Sequence, residues 1–197
     1  MRVVKESLQR GIAGHRLQWD HAAVITAVYI DGSYLKAKNS DDKSILSAYG
    51  VKDYQTSDKI LAYVDGSYMK AIDSEGATIV SVYGAKEYRV AGSLLAYKDG
   101  SYLKIRNATG KEIVSAYGVS EYRLGRRAVL YKSGSYLKGV DLNGKEFLSS
   151  YDAKDYQTRG SLVAYTSGSY LKVVDLDGAE ILSAYGVKEY RLGEQMI

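Results

Sequence analysis

The sequence contains no cysteine and no proline, and it has only two histidines. Without cysteine it can form neither a disulfide framework nor a thiolate site. Without proline, every turn must be made by Gly, Asn, Asp or Ser. The histidines, His15 and His21, both lie near the N-terminus, so the usual nucleophile and base pairs cannot be assembled in the rest of the chain. These absences indicate a protein that is not an enzyme.

Long apolar runs are also missing, which argues against a membrane span. Charged residues make up 25% and hydrophobic residues 46%, as in soluble globular proteins. The start, MRVVKESLQRGIAGHRLQWD, lacks the apolar core of a secretory signal, so we expect a cytoplasmic location. The net charge of +4 is mild and the basic residues are spread among 23 acids. This balance makes nucleic acid an unlikely partner.

The chain is instead rich in tyrosine and in internal repetition. Twenty tyrosines stand against one phenylalanine and one tryptophan, and all twenty occupy four positions of a 34-residue repeat. The phrase DGSYLK at residues 31–36 recurs four times with little change. The copies also share a lysine after the GSY phrase and a serine; the lysines are Lys36, Lys70, Lys104, Lys138 and Lys172. Five equivalent units are therefore expected.

The repeat predicts an antiparallel meander. The tetratricopeptide repeat has the same length, but its helical pattern is missing, and Gly-Ser beside β-branched residues is a poor helix interior. Tight turns at Asp99-Gly100 and Gly118-Val119 break the third copy into short alternating segments. The four strands predicted there are Leu94–Lys98, Tyr102–Arg106, Glu112–Tyr117 and Glu121–Leu124.

The strands are apolar or small on both faces, so each meander must be covered on both sides. Stacking the meanders and closing the stack predicts an all-β, five-bladed β-propeller over residues 23–197, preceded by an N-terminal extension over residues 1–22. The strand around Glu189–Leu192 is expected to complete the first blade and close the ring. Three-stranded blades, a β-solenoid and an open hairpin array are the alternatives. The extension could plug the ring or contact another subunit.

This cadence of glycine turns and short strands resembles five-bladed propellers as a class, with a tachylectin-like or WD40-like architecture. It is also similar to bacterial repeats of the WG type, although the tryptophan of those repeats is absent here. Tachylectin-like lectins bind one sugar per blade. The resemblance therefore implies a binding module with equivalent sites for a glycan or another small molecule.

Turn geometry predicts where such sites would lie. The turns of a meander alternate between its two ends, so the GSY turn and the following Tyr-Gly turn share one face of the ring. Three repeated positions on that face are the candidate ligand-binding residues. They are Tyr34, Tyr68, Tyr102, Tyr136 and Tyr170; the acids Asp53, Glu87, Glu121, Asp155 and Glu189; and Tyr54, Tyr88, Tyr122, Tyr156 and Tyr190.

Each of these positions has a second interpretation. The tyrosines could simply pack, with their hydroxyls satisfied at the wet blade ends. The acids could form salt bridges with the GSY lysines of neighbouring blades, or ring a channel and attract a cation. Because ring symmetry separates carboxylates that a metal needs close together, no metal and no cofactor is expected. The functional alternatives are a multivalent binding module, a structural or protein-interaction scaffold, and single-strand nucleic-acid binding.

Overall fold

The computed structural model describes residues 22–193, and this part of the chain is built entirely from strands, turns and loops. Its strands are β1 (Ile25–Asp31), β2 (Tyr34–Asn39), β3 (Ser44–Tyr49), β4 (Tyr54–Thr56), β5 (Ile60–Asp65), β6 (Tyr68–Asp73), β7 (Thr78–Tyr83), β8 (Lys86–Ala91), β9 (Leu94–Asp99), β10 (Tyr102–Asn107), β11 (Glu112–Tyr117), β12 (Glu121–Leu124), β13 (Ala128–Ser133), β14 (Tyr136–Asp141), β15 (Glu146–Tyr151), β16 (Ala153–Arg159), β17 (Leu162–Ser167), β18 (Tyr170–Asp175) and β19 (Glu180–Tyr185). The four strands predicted in the third copy are confirmed to within one residue.

These strands form five antiparallel sheets, which we call blades 1 to 5. Blade 1 is β1–β3, blade 2 is β4–β7, blade 3 is β8–β11, blade 4 is β12–β15 and blade 5 is β16–β19. Every sheet joins strands in chain order, which confirms the predicted meander. The first strands approach one another most closely, since β8 packs against both β4 and β12. They therefore form the inner edge of the array.

Two kinds of turn shape each blade. The GSY turn joins the second and third strands by two residues, as at Gly66 and Ser67, and Gly66 has a φ of 60° that favours glycine. At the opposite end, the side chain of Asp73 accepts hydrogen bonds from the backbone N–H groups of Glu75 at 2.9 Å and Ala77 at 2.8 Å. The aspartate side chain thus stabilises this turn in a sequence that contains no proline.

The GSY turns and the Tyr-Gly turns lie at the same end of the blades. The backbone N–H of Gly84 donates to the carbonyl oxygen of Ser67 at 2.8 Å, and Gly118 donates to Ser101 at 3.0 Å in the same way. The same bond recurs in the other three blades. This confirms the predicted grouping of the turns, and we call the surface that they share the GSY face.

The core lies between blades, because each blade is apolar on both sides. In blade 2, Ile60 and Ala62 pack toward blade 3, whereas Leu61 and Tyr63 pack toward blade 1. These four side chains are almost completely buried. Burial of apolar surface stabilises by roughly 25 cal/mol per Å², so neighbouring blades hold each other in place.

The predicted closure of the first blade is not seen within residues 22–193. Within residues 22–193, blade 1 has three strands, and no strand covers residues 187–193. Tyr190 and Leu192 pack instead on the apolar residues Ala164, Leu171 and Val173 of blade 5. The apolar side of blade 5 needs cover and lies directly beside this segment, so the local contact is made. The predicted extension, residues 1–22, lies almost wholly outside the described residues.

Candidate functional site

A pair of tyrosine rings stands on the GSY face of every blade. In blade 1, the rings of Tyr34 and Tyr49 meet edge to face, with centroids 5.3 Å apart and planes at 65°. The other four pairs repeat this geometry with centroid distances of 5.3 to 5.5 Å. They are Tyr68 with Tyr83, Tyr102 with Tyr117, Tyr136 with Tyr151, and Tyr170 with Tyr185.

Strand register produces these pairs. Tyr34 begins β2 and lies directly opposite Tyr49, which ends β3. Edge-to-face contact is a favourable aromatic geometry, because the positive edge of one ring meets the negative face of the other. The rings nevertheless remain accessible, since Tyr34 is 44% exposed and Tyr49 is 69% exposed. Each blade therefore displays a preformed pair of exposed tyrosine rings, such as Tyr34 with Tyr49, and we call each pair an aromatic ledge.

Beside each ledge lies the lysine of the GSY phrase, held by a carboxylate of its own blade. Lys36 and Lys70 pair with Asp31 at 2.5 Å and Asp65 at 2.6 Å, at the end of the strand before the turn. In blades 3, 4 and 5 the partner lies on the outermost strand instead. Those pairs are Lys104 with Glu112, Lys138 with Glu146 and Lys172 with Glu180.

The change of partner follows a change in sequence. Blades 4 and 5 have Ser133 and Ser167 where blades 1 and 2 have aspartate, and they carry glutamate where blades 1 and 2 have Ser44 and Thr78. Each blade thus retains a carboxylate for its lysine, from one side or the other. The salt bridges predicted between these lysines and the acids at Asp53 and equivalent positions are wrong, because a nearer partner exists inside the blade.

One acid of the inner edge, Asp53, contacts a tyrosine of the next blade instead. The hydroxyl of Tyr88 donates to Oδ2 of Asp53 at 2.7 Å. Burial, then the hydrogen bond to Asp53, raises the pKa of Tyr88. Burial first and the Glu121 carboxylate second raise the pKa of Tyr156 to about 12.

The same coupling of acid and tyrosine continues along the inner edge. Burial raises the pKa of Tyr122. The Arg89 guanidinium lowers this pKa in part, and the Glu87 carboxylate raises it further. Burial and the Asp155 carboxylate raise the pKa of Tyr190. Of these four tyrosines, Tyr88 connects neighbouring blades by a hydrogen bond, whereas Tyr190 lies in the segment after blade 5.

A cleft of about 630 Å³ opens along the inner edge beside blades 2, 3 and 4. Glu87 lies on its wall and is held by a bulge in β8, where its φ is 52°. A left-handed backbone costs a residue other than glycine about 1 kcal/mol, so the backbone of Glu87 keeps this conformation at a cost in stability. The cleft is lined by Gln55, Glu87, Tyr88, Arg89, Val90, Lys98, Ser120, Glu121 and Tyr122.

The predicted site residues therefore fall into two separate rows. Tyr34 and its four equivalents stand exposed on the ledges. The acids and the tyrosines equivalent to Tyr54 line the inner edge, where Tyr88 and Tyr156 are buried between blades and Tyr54 is exposed. Glu189, in the fifth copy, lies in the segment that packs on blade 5.

The second ring of each ledge was missed as a site residue. These rings are Tyr49, Tyr83, Tyr117, Tyr151 and Tyr185. The signal was present in the sequence, because a tyrosine just after one turn and a tyrosine just before the next turn must face each other across a regular hairpin.

Neither metal ligands nor a membrane helix can be identified in this part of the chain. Residues 22–193 hold no group of three or more His, Cys, Asp or Glu side chains placed to share a metal ion. Over the same residues, no helix of sufficient length and hydrophobicity to span a bilayer is present.

Comparison with protein families identifies the fold. Residues 15–147 match the family described as the 10-bladed beta propeller domain. The chain belongs to this family. As a member of the 10-bladed propeller family it shows five blades within residues 22–193, half the number in the family's description. None of the curated proteins matches the chain.

Several solved structures are similar to this chain. A eukaryotic initiation factor is similar with a TM-score of 0.51 and 12% identity, over 86% of this chain and 53% of its own. Hsv2 of Kluyveromyces lactis, with loop 6CD replaced by a Gly-Ser linker, has a TM-score of 0.45 and 14% identity, over 82% of this chain and 66% of its own. AztD of Citrobacter koseri has a TM-score of 0.42 and 12% identity, over 87% of this chain and 59% of its own. The chain spans less than two thirds of the length of each.

Proposed function

We propose that this propeller chain is a non-catalytic, multivalent binding module whose ledges hold a neutral, hydroxyl-rich ligand such as a glycan. One observation carries the proposal: five tyrosine pairs share the same geometry and stand exposed on one face. Packing alone does not explain rings that are 44 to 73% exposed. Exposed aromatic groups repeated on one surface are typical of a binding site.

The chemistry of a ledge suits a sugar. Two ring surfaces at about 65° offer apolar area to the C–H side of a pyranose, and their hydroxyls can donate and accept hydrogen bonds. The neighbouring lysine adds donors and its carboxylate adds acceptors. Since the two charges neutralise each other, the ledge favours a neutral ligand over an anion.

Repetition would convert weak contacts into strong binding. A single shallow ledge can hold a ligand only weakly, but five ledges on one rigid scaffold raise the effective concentration for every contact after the first. A ligand presented in many copies, such as a polysaccharide or a glycosylated surface, therefore fits better than one small molecule.

The proposal is tested by binding the purified chain to immobilised neutral oligosaccharides, including cello-, chito-, xylo- and manno-oligosaccharides, at low and high salt. We expect saturable binding that salt does not weaken. Replacing both rings of blade 3 (Tyr102→Ala with Tyr117→Ala) should weaken it by removing one of five contacts. The matched control, Tyr102→Phe with Tyr117→Phe, retains the rings and should keep most of the binding.

Two other results would favour the alternatives. Retention of oligonucleotides that falls steeply with salt would indicate nucleic-acid binding through lysine and tyrosine. Failure to bind any of these probes, together with a defined assembly, would favour a protein-interaction scaffold. The exposed apolar residues Ile181 and Leu182 of blade 5 are the observation that supports a scaffold.

A further inference from the structure

The segment after the last blade occupies the position of an inner strand. Residues 187–193, VKEYRLG, differ at one position from residues 119–125, VSEYRLG, which contain the inner strand β12. Tyr122 and Leu124 of that strand pack on blade 3, and Tyr190 and Leu192 pack on blade 5 in the same way. Unlike β12, which pairs with β13, residues 187–193 have no sheet partner within the described residues.

Blade 1 has the complementary feature. Its strand β1 pairs only with β2 within residues 22–193, whereas the equivalent strand β13 pairs on both sides. Tyr29 of β1 is 42% exposed, although Tyr63, at the same position of blade 2, is 6% exposed. The edge that would receive an inner strand is open.

Apolar residues are exposed on the last blade where the other blades cover them. Ile181 is 58% and Leu182 is 45% exposed. Ile79 and Leu148, which occupy these two positions in blades 2 and 4, are 8% and 7% exposed because the next blade packs on them. Blade 5 therefore presents the same kind of surface that blades 1 to 4 bury against a neighbour.

We propose that two copies of this chain close into one ring of ten blades, in which residues 187–193 of each copy form the inner strand of blade 1 of the other copy. The junction would continue the interface that already joins blades within the chain. Tyr122 lies opposite Tyr131 in blade 4, so Tyr190 of one copy would lie opposite Tyr29 of the other. This inference does not depend on the proposed function.

The number of blades favours two copies over closure within one chain. Two chains of five blades give the ten that the family's description states. The two junctions would be identical and related by a two-fold axis, so the ring would close without leaving a free end. The segment also lies on blade 5 rather than on β1 of its own chain, as this arrangement requires.

One residue opposes a tight junction. At Gly144 and Gly178 an added Cβ would lie 3.1 Å and 2.8 Å from a backbone oxygen of the preceding blade, but the nearest such oxygen at Gly110 lies at 3.7 Å. Asp42 occupies the corresponding position of blade 1, also at positive φ. The junction would therefore resemble the looser contact at Gly110. Asp42→Gly should tighten the dimer roughly tenfold by permitting closer approach.

The first test measures the mass of the 197-residue chain by light scattering over a range of concentrations. We expect twice the chain's 21.7 kDa. Ile181→Lys with Leu182→Lys should give a folded monomer, because both side chains are already exposed within one chain. Tyr185→Ala, an exposed change on the same strand, should leave the dimer intact. A monomer at every concentration, or a series of growing oligomers, would overturn the proposal.

The second test distinguishes the two-chain ring from closure within one chain. Because the sequence has no cysteine, Ile30→Cys with Glu189→Cys supplies the only thiols, at positions equivalent to the Glu121 and Lys132 pair. A short thiol cross-linker should give covalent dimers on a denaturing gel. A circular monomer would overturn the proposal. Ile30→Cys with Asp177→Cys, which places the second thiol at the opposite end of blade 5, should give little product of either kind.

Discussion

The hydroxyl of Tyr88 donates a 2.7 Å hydrogen bond to Asp53 of the preceding blade. The side-chain amide of Gln55 reinforces this link by donating to the carbonyl oxygen of Tyr88 at 2.9 Å and accepting from the N–H of Val90 at 3.2 Å. Blades 2 and 3 are thus joined by polar contacts at the inner edge as well as by the apolar core.

Removing this hydroxyl should destabilise the protein. Tyr88→Phe is expected to lower the free energy of unfolding by about 1 kcal/mol, because Asp53 loses a donor and the ring stays packed. Urea denaturation measures the change. Tyr131→Phe is the matched control, since Tyr131 is buried to a similar degree and no hydrogen bond of its hydroxyl is found among the described residues. Equal losses in the two variants would contradict a role for the hydrogen bond.

Alkaline pH should weaken the fold through the buried tyrosines. Burial raises the pKa of Tyr63, Tyr88, Tyr122, Tyr131, Tyr156 and Tyr190. Their unfolded pKa is about 10, so the stability they contribute is fully present below about pH 10. It is lost as the pH rises toward the folded value, which is about 12 for Tyr156. Urea midpoints measured from about pH 8 to pH 11 should fall above pH 10, and less steeply in Tyr156→Phe. A flat profile would contradict this assignment.

An asparagine in the turn of blade 4 should strengthen its contact with blade 5. The amide of Asn39 donates to the carbonyl oxygen of Ser74 in the next blade at 3.0 Å. Asp141 occupies the same turn position and makes only the local bonds. Asp141→Asn would keep those bonds and add a donor toward the next blade, for a gain of about 0.5 to 1 kcal/mol in unfolding free energy.

Asp175→Asn provides the control for this change. It alters the same turn position in blade 5, which no blade follows within residues 22–193. We expect no gain there under conditions in which the chain is monomeric. A similar gain in both variants would mean that removal of a negative charge, and not the new hydrogen bond, stabilises the protein.

The lysine beside each ledge should form its salt bridge equally well with a carboxylate on the strand before the GSY turn or on the outermost strand. The hydrogen bond to Glu146 raises the pKa of Lys138, so Glu146→Gln should lower that pKa, as measured by NMR titration. Because the pair is partly exposed, the loss of stability should be less than about 1 kcal/mol. Adding Ser133→Asp, which restores the arrangement of blades 1 and 2, should raise the pKa again. Failure of this rescue would show that the two positions are not interchangeable.

Most of the fold could be predicted because its determinants are local. Strand ends follow from the glycine turns, and the alternation of apolar residues places both sides of a blade in a core. The strands β9 to β12 and the shared face of the turns were predicted on this basis. Such features require no knowledge of how one blade is oriented on another.

Contacts between blades could not be predicted in the same way. The partner of Asp53 is Tyr88, and whether a lysine or a tyrosine reaches that carboxylate depends on the offset between stacked sheets. The position of residues 187–193 likewise depends on whether they pack on blade 5 or pair with blade 1, which are distant from each other in the sequence. The sequence shows that some blades carry an acid at the position of Asp31 and others at the position of Glu146. That both acids pair with the same lysine position follows only from the register of the hairpins.

Pairing only between consecutive strands also determines how the protein opens. No hydrogen-bonded strand pair in the described structure spans more than one turn of chain, and blades 1 and 5 each have a single neighbour. Such an array behaves as a row of coupled units, in which the ends open more readily than the middle. Amide hydrogen exchange should therefore be fastest in β2 and β18 and slowest in β10, and joining the two ends should remove this gradient.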